Sequence, residues 1–455
     1  MGGSAKGDMR SQAVRAVASL LERPATHLRD RRTLLHLAWI AAILALALAA
    51  RSFWVAYAPA DPTDGSHVDD TYFYHYSADR LAEGSGYVVP WTGAETAHWP
   101  PGYTFFLAGL YWLFGPHVAI GWIANIVLGT LTCVAVYIAG CLILSQRAGA
   151  VAGLLLAVFP GHIFFSSLLL SETLFTFLVV VAMTLTLLVA RQGRDTGMAR
   201  LILLGVVVGA AALVRGQGLF LLIAAALFWW LSTADWRRAL RWAAVVGVTS
   251  LAVIVPWSIR NYVAMNSFVF ISTNAGGNLW LGNHEGATGR FMWMADEWMR
   301  RRYANLPEPQ REVAVSNLAL REGLKFMFTH PADELRLSAT KLRALYEDDE
   351  EGLWWIHRPK VGRRVGSIGV IADVADGFYF AVLAVSAGGL AYWLRRRRSA
   401  VALPLLVVGV FTLGQLPFFA DPRFHFPMLP SFCLLAAVGV VWGAGYVRRF
   451  GRRLD

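Results

Sequence analysis

The chain has 455 residues, of which 56% are hydrophobic and only 16% charged, and its formal net charge is +11. Apolar runs long enough to cross a bilayer recur along it, so the composition predicts an all-α polytopic membrane protein. The positive charge does not indicate nucleic-acid binding, because the arginines stand mainly in short clusters between apolar runs, as in cytoplasmic loops.

In chain order, residues 1–36 form a basic N-terminus, within which residues 11–22 have the apolar spacing of an interfacial helix on the cytoplasmic side. The apolar run at 37–58 is predicted to be a retained span, because it is longer than the core of a usual signal peptide. Loop 1, defined as residues 59–117, contains an apolar segment at 103–114. That segment is short for a crossing and is predicted to be a surface or re-entrant helix.

Ten runs are predicted to span the membrane, with an eleventh only if the short segment of loop 1 also crosses. The ten are residues 37–58, 118–144, 149–165, 167–190, 201–214, 218–232, 242–259, 372–394, 401–419 and 426–446. With ten spans, the arginine clusters fall on the cytoplasmic side together with both termini. Loop 1 then lies on the extracytoplasmic side.

The predicted organisation is a transmembrane core at 37–263, a long extracytoplasmic loop at 264–371, C-terminal spans at 372–447 and a basic cytoplasmic tail at 448–455. We call residues 264–371 loop 2. Within it, residues 309–328 and 331–346 have the apolar spacing of amphipathic helices. The acidic run at 348–351 is predicted to be a solvated turn.

Ionisable residues from distant parts of the chain converge on the extracytoplasmic face. Charges next to membrane spans are costly, so a cluster of both signs is a candidate site for an anionic, lipid-borne substrate. The residues concerned are Asp69, Asp70, Glu172, Arg215, Arg260, Arg423 and His425.

Each of these residues also has a structural interpretation. Asp69 and Asp70 could cap a helix, Glu172 could pair with Arg215, and arginines at span ends often serve as anchors. The histidines at 67, 75, 98 and 425 could join the two aspartates around a cation, but their spacing is not that of a metal site.

Several short motifs occur in a characteristic order. They are DD at 69–70, GSGY at 84–87, WPPGY at 99–103, LSETLF at 170–175, PWSIRNY at 256–262 and PRFHFP at 422–427. In this order they resemble the GT-C glycosyltransferases, and within them the bacterial branch related to protein O-mannosyltransferases and to lipid A aminoarabinose transferase. The resemblance runs from about residue 37 to residue 446.

The resemblance implies a GT-C-like helical bundle with surface helices in loop 1 and roles for its acidic residues. It puts the catalytic base on Asp69, with Asp70 where Glu is usual, and makes Glu172 the second acidic position near the acceptor. Pro100 and Pro101 belong to membrane-surface helices beside the base.

Two positions depart from the pattern of these relatives. Trp99 and Tyr72 stand where relatives carry basic residues that bind the lipid phosphate. The donor phosphate is therefore expected on Arg260, Arg215 or Arg423, in that order, since a guanidinium group donates two parallel hydrogen bonds. The expected substrate lining is Trp99, Pro100, Pro101, Tyr72 and His425.

The implied function is inverting transfer of a monosaccharide from a polyprenyl-phosphate donor to a hydroxyl or amine of a glycolipid, glycan or protein. The enzyme would act at the outer face of a bacterial inner membrane, and its reaction requires no cofactor or resident metal. Two alternatives stay open. One is a polymerase or ligase of lipid-linked glycans, and the other is a transporter or flippase, which would usually have internal repeats and ionisable residues at the midplane.

Overall fold

The computed structural model describes residues 31–63, 69–292, 297–357, 367–397 and 399–451, and within these ranges the chain is helical and has no β-strand. The predicted interfacial helix at 11–22 and the end of the basic tail, 452–455, lie outside the described residues. The first ten helices are α1 (Arg31–Tyr57), α2 (Asp70–Ala82), α3 (Gly102–Phe114), α4 (Val118–Ile143), α5 (Gln146–Ala157), α6 (Pro160–Phe164), α7 (Glu172–Gln192), α8 (Met198–Val214), α9 (Phe220–Thr233) and α10 (Trp236–Met265).

Loop 2 and the C-terminal part supply the remaining helices. They are α11 (Asn274–Gly282), α12 (Glu297–Arg302), α13 (Glu308–Thr329), α14 (Pro331–Leu345), α15 (Glu351–His357), α16 (Ser367–Arg396), α17 (Ala402–Gln415) and α18 (Leu429–Gly451). A 3₁₀ segment, Pro422–Met428, leads directly into α18. The prediction of an all-α fold is confirmed.

Each of the ten predicted spans coincides with a helix or with the pair α5 and α6, whose axes are bent by 58°. In the described residues, seven helices are long and apolar enough to cross a membrane, or eight with the bent pair. The 17 residues of α8 rise only about 26 Å, which is less than a hydrocarbon core of about 30 Å. The protein is therefore a polytopic membrane protein, and the number of ten or eleven spans stays a prediction.

Glycines set the closest helix contacts of the membrane core. A Cβ added to Gly140 in α4 would lie 2.6 Å from the Cα of Gly149 in α5. Likewise, a Cβ on Gly439 in α18 would lie 3.0 Å from the Cα of Gly388 in α16. Small residues let helices in lipid pack backbone against backbone, where van der Waals contact is the main attraction.

A buried cation holds the bend between α5 and α6. Arg51 of α1 has no exposed surface and donates to the carbonyl oxygens of Leu156 and Ala157, at 3.4 and 3.3 Å. These carbonyls end α5 and have no partner within that helix. Arg51 also contacts His162 Nδ1 in α6 at 2.7 Å, so one side chain ties three helices together.

The two amphipathic helices predicted in loop 2 are confirmed as α13 and α14. Val313 in α13 and Leu337 in α14 are buried, at 5% and 9% exposure. Pro331 is the first residue of α14, where its missing N–H costs nothing. These helices frame one end of the bundle, where the candidate site lies.

Candidate active site

Asp69 is the N-cap of α2. Its Oδ1 accepts hydrogen bonds from the backbone N–H groups of Thr71 and Tyr72, at 2.9 and 3.2 Å, and from the Thr71 hydroxyl at 2.6 Å. Asp is among the best residues for this position because it satisfies N–H groups that the helix leaves unpaired. The carboxylate is therefore fixed at the start of loop 1, where the sequence placed it.

Asp70, the next residue, has both carboxylate oxygens engaged. Its Oδ2 pairs with Arg423 Nη1 at 3.1 Å, and its Oδ1 accepts from the indole N–H of Trp99 at 3.2 Å. The Trp99 ring stacks on Phe73 of α2 with ring centroids 3.7 Å apart. Trp99 thus contacts Asp70 directly and is held in place by the ring of Phe73.

Glu172 is the first residue of α7 and is 1% exposed. Its Oε1 lies 2.7 Å from Arg215 Nη1 and 3.9 Å from Arg423 Nε. Arg215 also donates to the Ser171 hydroxyl at 3.1 Å. The structural pairing of Glu172 with Arg215 is thus present, and Arg423 joins the pair to loop 1. We call four side chains the ion network: Asp70, Glu172, Arg215 and Arg423.

The ion network is electrically balanced and largely enclosed. The side chains of Arg423 and Arg215 are 15% and 16% exposed, and the Arg423 guanidinium lies 5.0 Å from the Trp355 ring and 5.4 Å from the Phe424 ring. Charges in such surroundings interact more strongly than in water, and a carboxylate as buried as Glu172 requires a partner. The network joins four segments that are far apart in sequence.

Arg260, the first expected phosphate ligand, lies outside the ion network. Its guanidinium donates to the carbonyl oxygens of Thr96 and Tyr87, at 2.6 and 2.8 Å, and it lies over the ring of Trp257 at 5.0 Å. The structure therefore brings Arg215 and Arg423 together with the acids of the site, but it puts Arg260 against the backbone of loop 1.

The remaining lining residues of loop 1 have different surroundings. Tyr72 is half-buried and packs against Tyr76, with ring centroids 4.3 Å apart, and it lies 6.4 Å from the exposed ring of Trp91. Pro100 and Pro101 are buried, and Pro101 caps the start of α3. Tyr72, Tyr76 and Trp91 are therefore more accessible to solvent than the two prolines.

His425 is buried, at 2% exposure, and both of its ring nitrogens are engaged. Nδ1 contacts the Leu345 carbonyl at 2.8 Å, and Nε2 contacts Asp349 Oδ1 at 3.1 Å. A carbonyl only accepts, so Nδ1 carries a hydrogen, and a second proton must lie between Nε2 and the carboxylate. Tyr346 and Tyr379 stack on the ring, with centroids 6.3 and 4.8 Å away.

The prediction that the acidic run at 348–351 is solvated is wrong. All four residues are buried, at 5% or 6% exposure. The run packs against the Pro422–Met428 segment and α16, where the Asp349 backbone N–H donates to Asp376 Oδ1 at 2.9 Å. Burial raises the pKa of Asp349 above its ordinary value, against the opposing effect of His425. Sequence reasoning missed this role because an acidic run in a loop is ordinarily exposed.

Among the described residues, no group of three or more His, Cys, Asp or Glu side chains is arranged to hold a metal ion. His67 lies outside the described residues, and His75 is bonded through Nδ1 to the Tyr111 hydroxyl at 2.8 Å.

Two comparisons bear on this architecture. Residues 98–259, fewer than half of the 455, match the family described as dolichyl-phosphate-mannose-protein mannosyltransferase. The structure is similar to the archaeal oligosaccharyltransferase AglB from Archaeoglobus fulgidus in complex with an inhibitory peptide and a dolichol-phosphate, with a TM-score of 0.56 and 16% identity over 92% of this chain. The chain has a GT-C glycosyltransferase fold. The resemblance predicted from the sequence motifs is confirmed.

The similarity of this chain to AglB covers only part of the larger protein. The apo form of the A. fulgidus oligosaccharyltransferase aligns with a TM-score of 0.56 and 15% identity over 95% of this chain. The chain spans about half of the AglB chains, 52% and 53%. ArnT from Cupriavidus metallidurans bound to undecaprenyl phosphate aligns at 14% identity over 89% of this chain and 78% of its own, with a TM-score of 0.46. No curated protein matches the chain.

Proposed function

We propose that this protein is a glycosyltransferase that moves a monosaccharide from a polyprenyl-phosphate donor to a hydroxyl or amine of a glycolipid, glycan or protein. The observation that carries the proposal is the ion network directly beside Asp69, in which carboxylates and guanidinium groups meet at one end of the bundle. A solved structure of similar fold contains a dolichol-phosphate, a ligand of the proposed donor class.

Arg423 and Arg215 are the proposed phosphate ligands. Each uses Nη1 for a carboxylate, while its Nη2 donates to no acceptor within the described part of the chain. Two guanidinium groups held by acids can receive phosphate oxygens without moving far. The lipid phosphate departs as an anion, so its departure needs cationic stabilisation more than a proton donor.

Asp69 is the proposed general base. Asp70 is paired with Arg423 and bonded to Trp99, whereas Asp69 is held at the start of α2 by the backbone N–H groups of Thr71 and Tyr72. A carboxylate at that position can accept the proton of the acceptor as the sugar is transferred. Attack opposite the departing phosphate inverts the anomeric carbon.

We further propose an extracytoplasmic site in a bacterial inner membrane, with both termini in the cytoplasm. The site lies where α7 begins and α8 ends, at Glu172 and Arg215. The opposite end of α7 leads into Arg191, Arg194 and Arg200, and an arginine cluster there is typical of a cytoplasmic loop.

The test is incubation of the purified protein in liposomes with a panel of polyprenyl-phosphate monosaccharides, both hexosyl and pentosyl, while released polyprenyl phosphate is measured. Release with at least one sugar is expected, together with an inverted product. No release with any donor, with or without added acceptors, would overturn the proposal.

Two further arms of the same panel address the alternatives. A diphosphate-linked oligosaccharide as the sole active donor would identify a glycan ligase instead. Movement of a labelled lipid across the liposome without sugar release would identify a flippase.

A further inference from the structure

A turn of loop 1 is held from two sides by charged residues that belong to other parts of the chain. The turn runs from Tyr87 to His98 and closes on itself through a bridge between Val88 and Glu95. We propose that Glu312 and Arg260 are positioning residues that clamp this turn, so that Trp99 holds Asp70 in the ion network. The proposal rests on the proposed glycosyltransferase function of that site.

Glu312 of α13 holds the turn from the side of loop 2. Its Oε2 accepts from the Thr96 hydroxyl at 2.6 Å, and its Oε1 accepts from the Ala97 N–H at 3.0 Å and from the Thr273 hydroxyl at 2.7 Å. Thr273 in turn donates its N–H to the Ala97 carbonyl at 2.9 Å. One carboxylate therefore joins loop 1 to two segments of loop 2, through bonds that are charge-assisted.

Arg260 of α10 holds the same turn from the side of the membrane core. Its two Nη atoms donate to the carbonyl oxygens of Thr96 and Tyr87. The Tyr87 hydroxyl donates to the Trp99 carbonyl at 3.0 Å. Arg260 therefore binds the carbonyl oxygen of Thr96, and Glu312 binds the hydroxyl group of the same residue.

The contacts of Glu312 and Arg260 with the turn also affect Asp70, the acid that pairs with Arg423. Trp99 follows the clamped turn directly, stacks on Phe73 and donates its indole N–H to Asp70 at 3.2 Å. A shift of the turn would move Trp99 and break its hydrogen bond to Oδ1 of Asp70. Since misplacement by about 1 Å can cost about 100-fold in rate, the clamp matters for catalysis without touching the substrate.

The first measurement is independent of activity and follows hydrogen exchange of residues 87–101 by mass spectrometry in Glu312→Ala. The matched control is Glu308→Ala, at the exposed start of the same helix. We expect at least a tenfold faster exchange of this segment in E312A and wild-type exchange in E308A. Unchanged exchange in E312A would overturn the clamp.

The second measurement compares kcat with the donor KM. We expect E312A to lower kcat by roughly 10- to 100-fold while the donor KM stays within about twofold, because no substrate contact is lost. Glu312→Gln should restore most of kcat, since an amide oxygen still accepts from Ala97 or from the hydroxyls. Faster exchange with an unchanged kcat would overturn the catalytic role, whereas an inactive wild type would count only against the proposed function.

Discussion

Asp69 and Asp70 are adjacent, yet their carboxylates have different surroundings. Asp69 caps α2, and Asp70 pairs with Arg423 and Trp99. Asp69 has the extended backbone of an N-cap, whereas Asp70 is the first helical residue, so the two side chains leave the chain in different directions. This difference allows the two carboxylates to be separated by mutation.

We expect Asp69→Asn to lower turnover by roughly 100- to 10,000-fold while the protein stays folded and inserted. Asn is as good an N-cap as Asp, so the substitution removes the base and keeps the helix start. The measurement is polyprenyl phosphate release, with thermal stability as the check on folding. Turnover near the wild-type level in a folded D69N protein would exclude Asp69 as the base.

Arg423→Lys should weaken binding of polyprenyl phosphate about tenfold. Lys lacks the planar fork with which Arg423 meets Asp70 and Glu172 at once, and its single nitrogen cannot present two parallel N–H groups to a phosphate. Titration of the lipid against protein fluorescence gives the dissociation constant. Arg301→Lys is the control, because Arg301 is 80% exposed and pairs with Glu297 of the same helix. Equal affinity in R423K and wild type would contradict the proposed ligand.

At the scale of elements, the bend between α5 and α6 depends on a residue of α1. Pro160 begins α6 and has no N–H to donate to the end of α5, where the Leu156 carbonyl accepts a long bond of 3.4 Å from the Phe159 N–H. The guanidinium group of Arg51 supplies the donors from a neighbouring helix. The broken helix is thus a tertiary feature rather than a local one.

Arg51→Met should destabilise the protein by roughly 2–4 kcal/mol, since two buried carbonyls and His162 Nδ1 would lose their donor. The measurement is the midpoint of thermal unfolding in detergent. Arg147→Met, at the exposed start of α5, is the control and should leave the midpoint nearly unchanged. Equal midpoints for R51M and R147M would contradict the capping role.

A second link between elements joins the Pro422–Met428 segment to α14. His425 donates to the carbonyl of Leu345, the last residue of α14, and shares a proton with Asp349. The bond to Leu345 satisfies one of the carbonyl groups that α14 leaves unpaired at its end. Since Arg423 is two residues away, this link also holds one end of the ion network.

The stability difference between wild type and Asp349→Asn should depend on pH. Burial raises the pKa of Asp349 in the folded state, so wild-type stability relative to D349N should fall as pH rises from about 4 through that raised pKa. Thermal midpoints of both proteins across this range are the measurement. A difference between the two midpoints that does not change with pH would contradict a pKa of Asp349 that is higher in the folded than in the unfolded protein.

At the scale of the whole molecule, the candidate site lies where α7 begins, at Glu172, and Arg191 and Arg194 lie at the opposite end of that helix. Loops 1 and 2 meet over the site end, where Glu312 and Arg260 bind the same turn. The loops therefore form one structure with the bundle, although they are separated in sequence by several spans. This arrangement makes orientation in the membrane a direct test of the proposed location.

Thr92→Cys in exposed loop 1 should react with a membrane-impermeant thiol reagent in intact cells. Asp195→Cys, exposed at the opposite end of α7, should react only after permeabilisation. Both changes are made in a background without Cys133, Cys141 and Cys433, so that labelling reports one position. The reverse pattern would put the candidate site in the cytoplasm.

Helix positions and the amphipathic helices of loop 2 could be predicted because their signals are local. Apolar length marks spans such as α4, and apolar spacing marks α13 and α14. The number of crossings could not be predicted in the same way. The length of α8 and the bend after α5 depend on neighbouring helices, as the contacts of Arg51 with the end of α5 illustrate.

The sequence by itself determined that this is a helical membrane protein with a GT-C-like order of motifs and with two adjacent acids in loop 1. Only the tertiary structure decided which charges meet. It paired Arg423 and Arg215 with the acids, put Arg260 on backbone carbonyls and buried the run at 348–351. The reason is that ion pairs and burial depend on contacts between distant segments, which composition and periodicity do not contain.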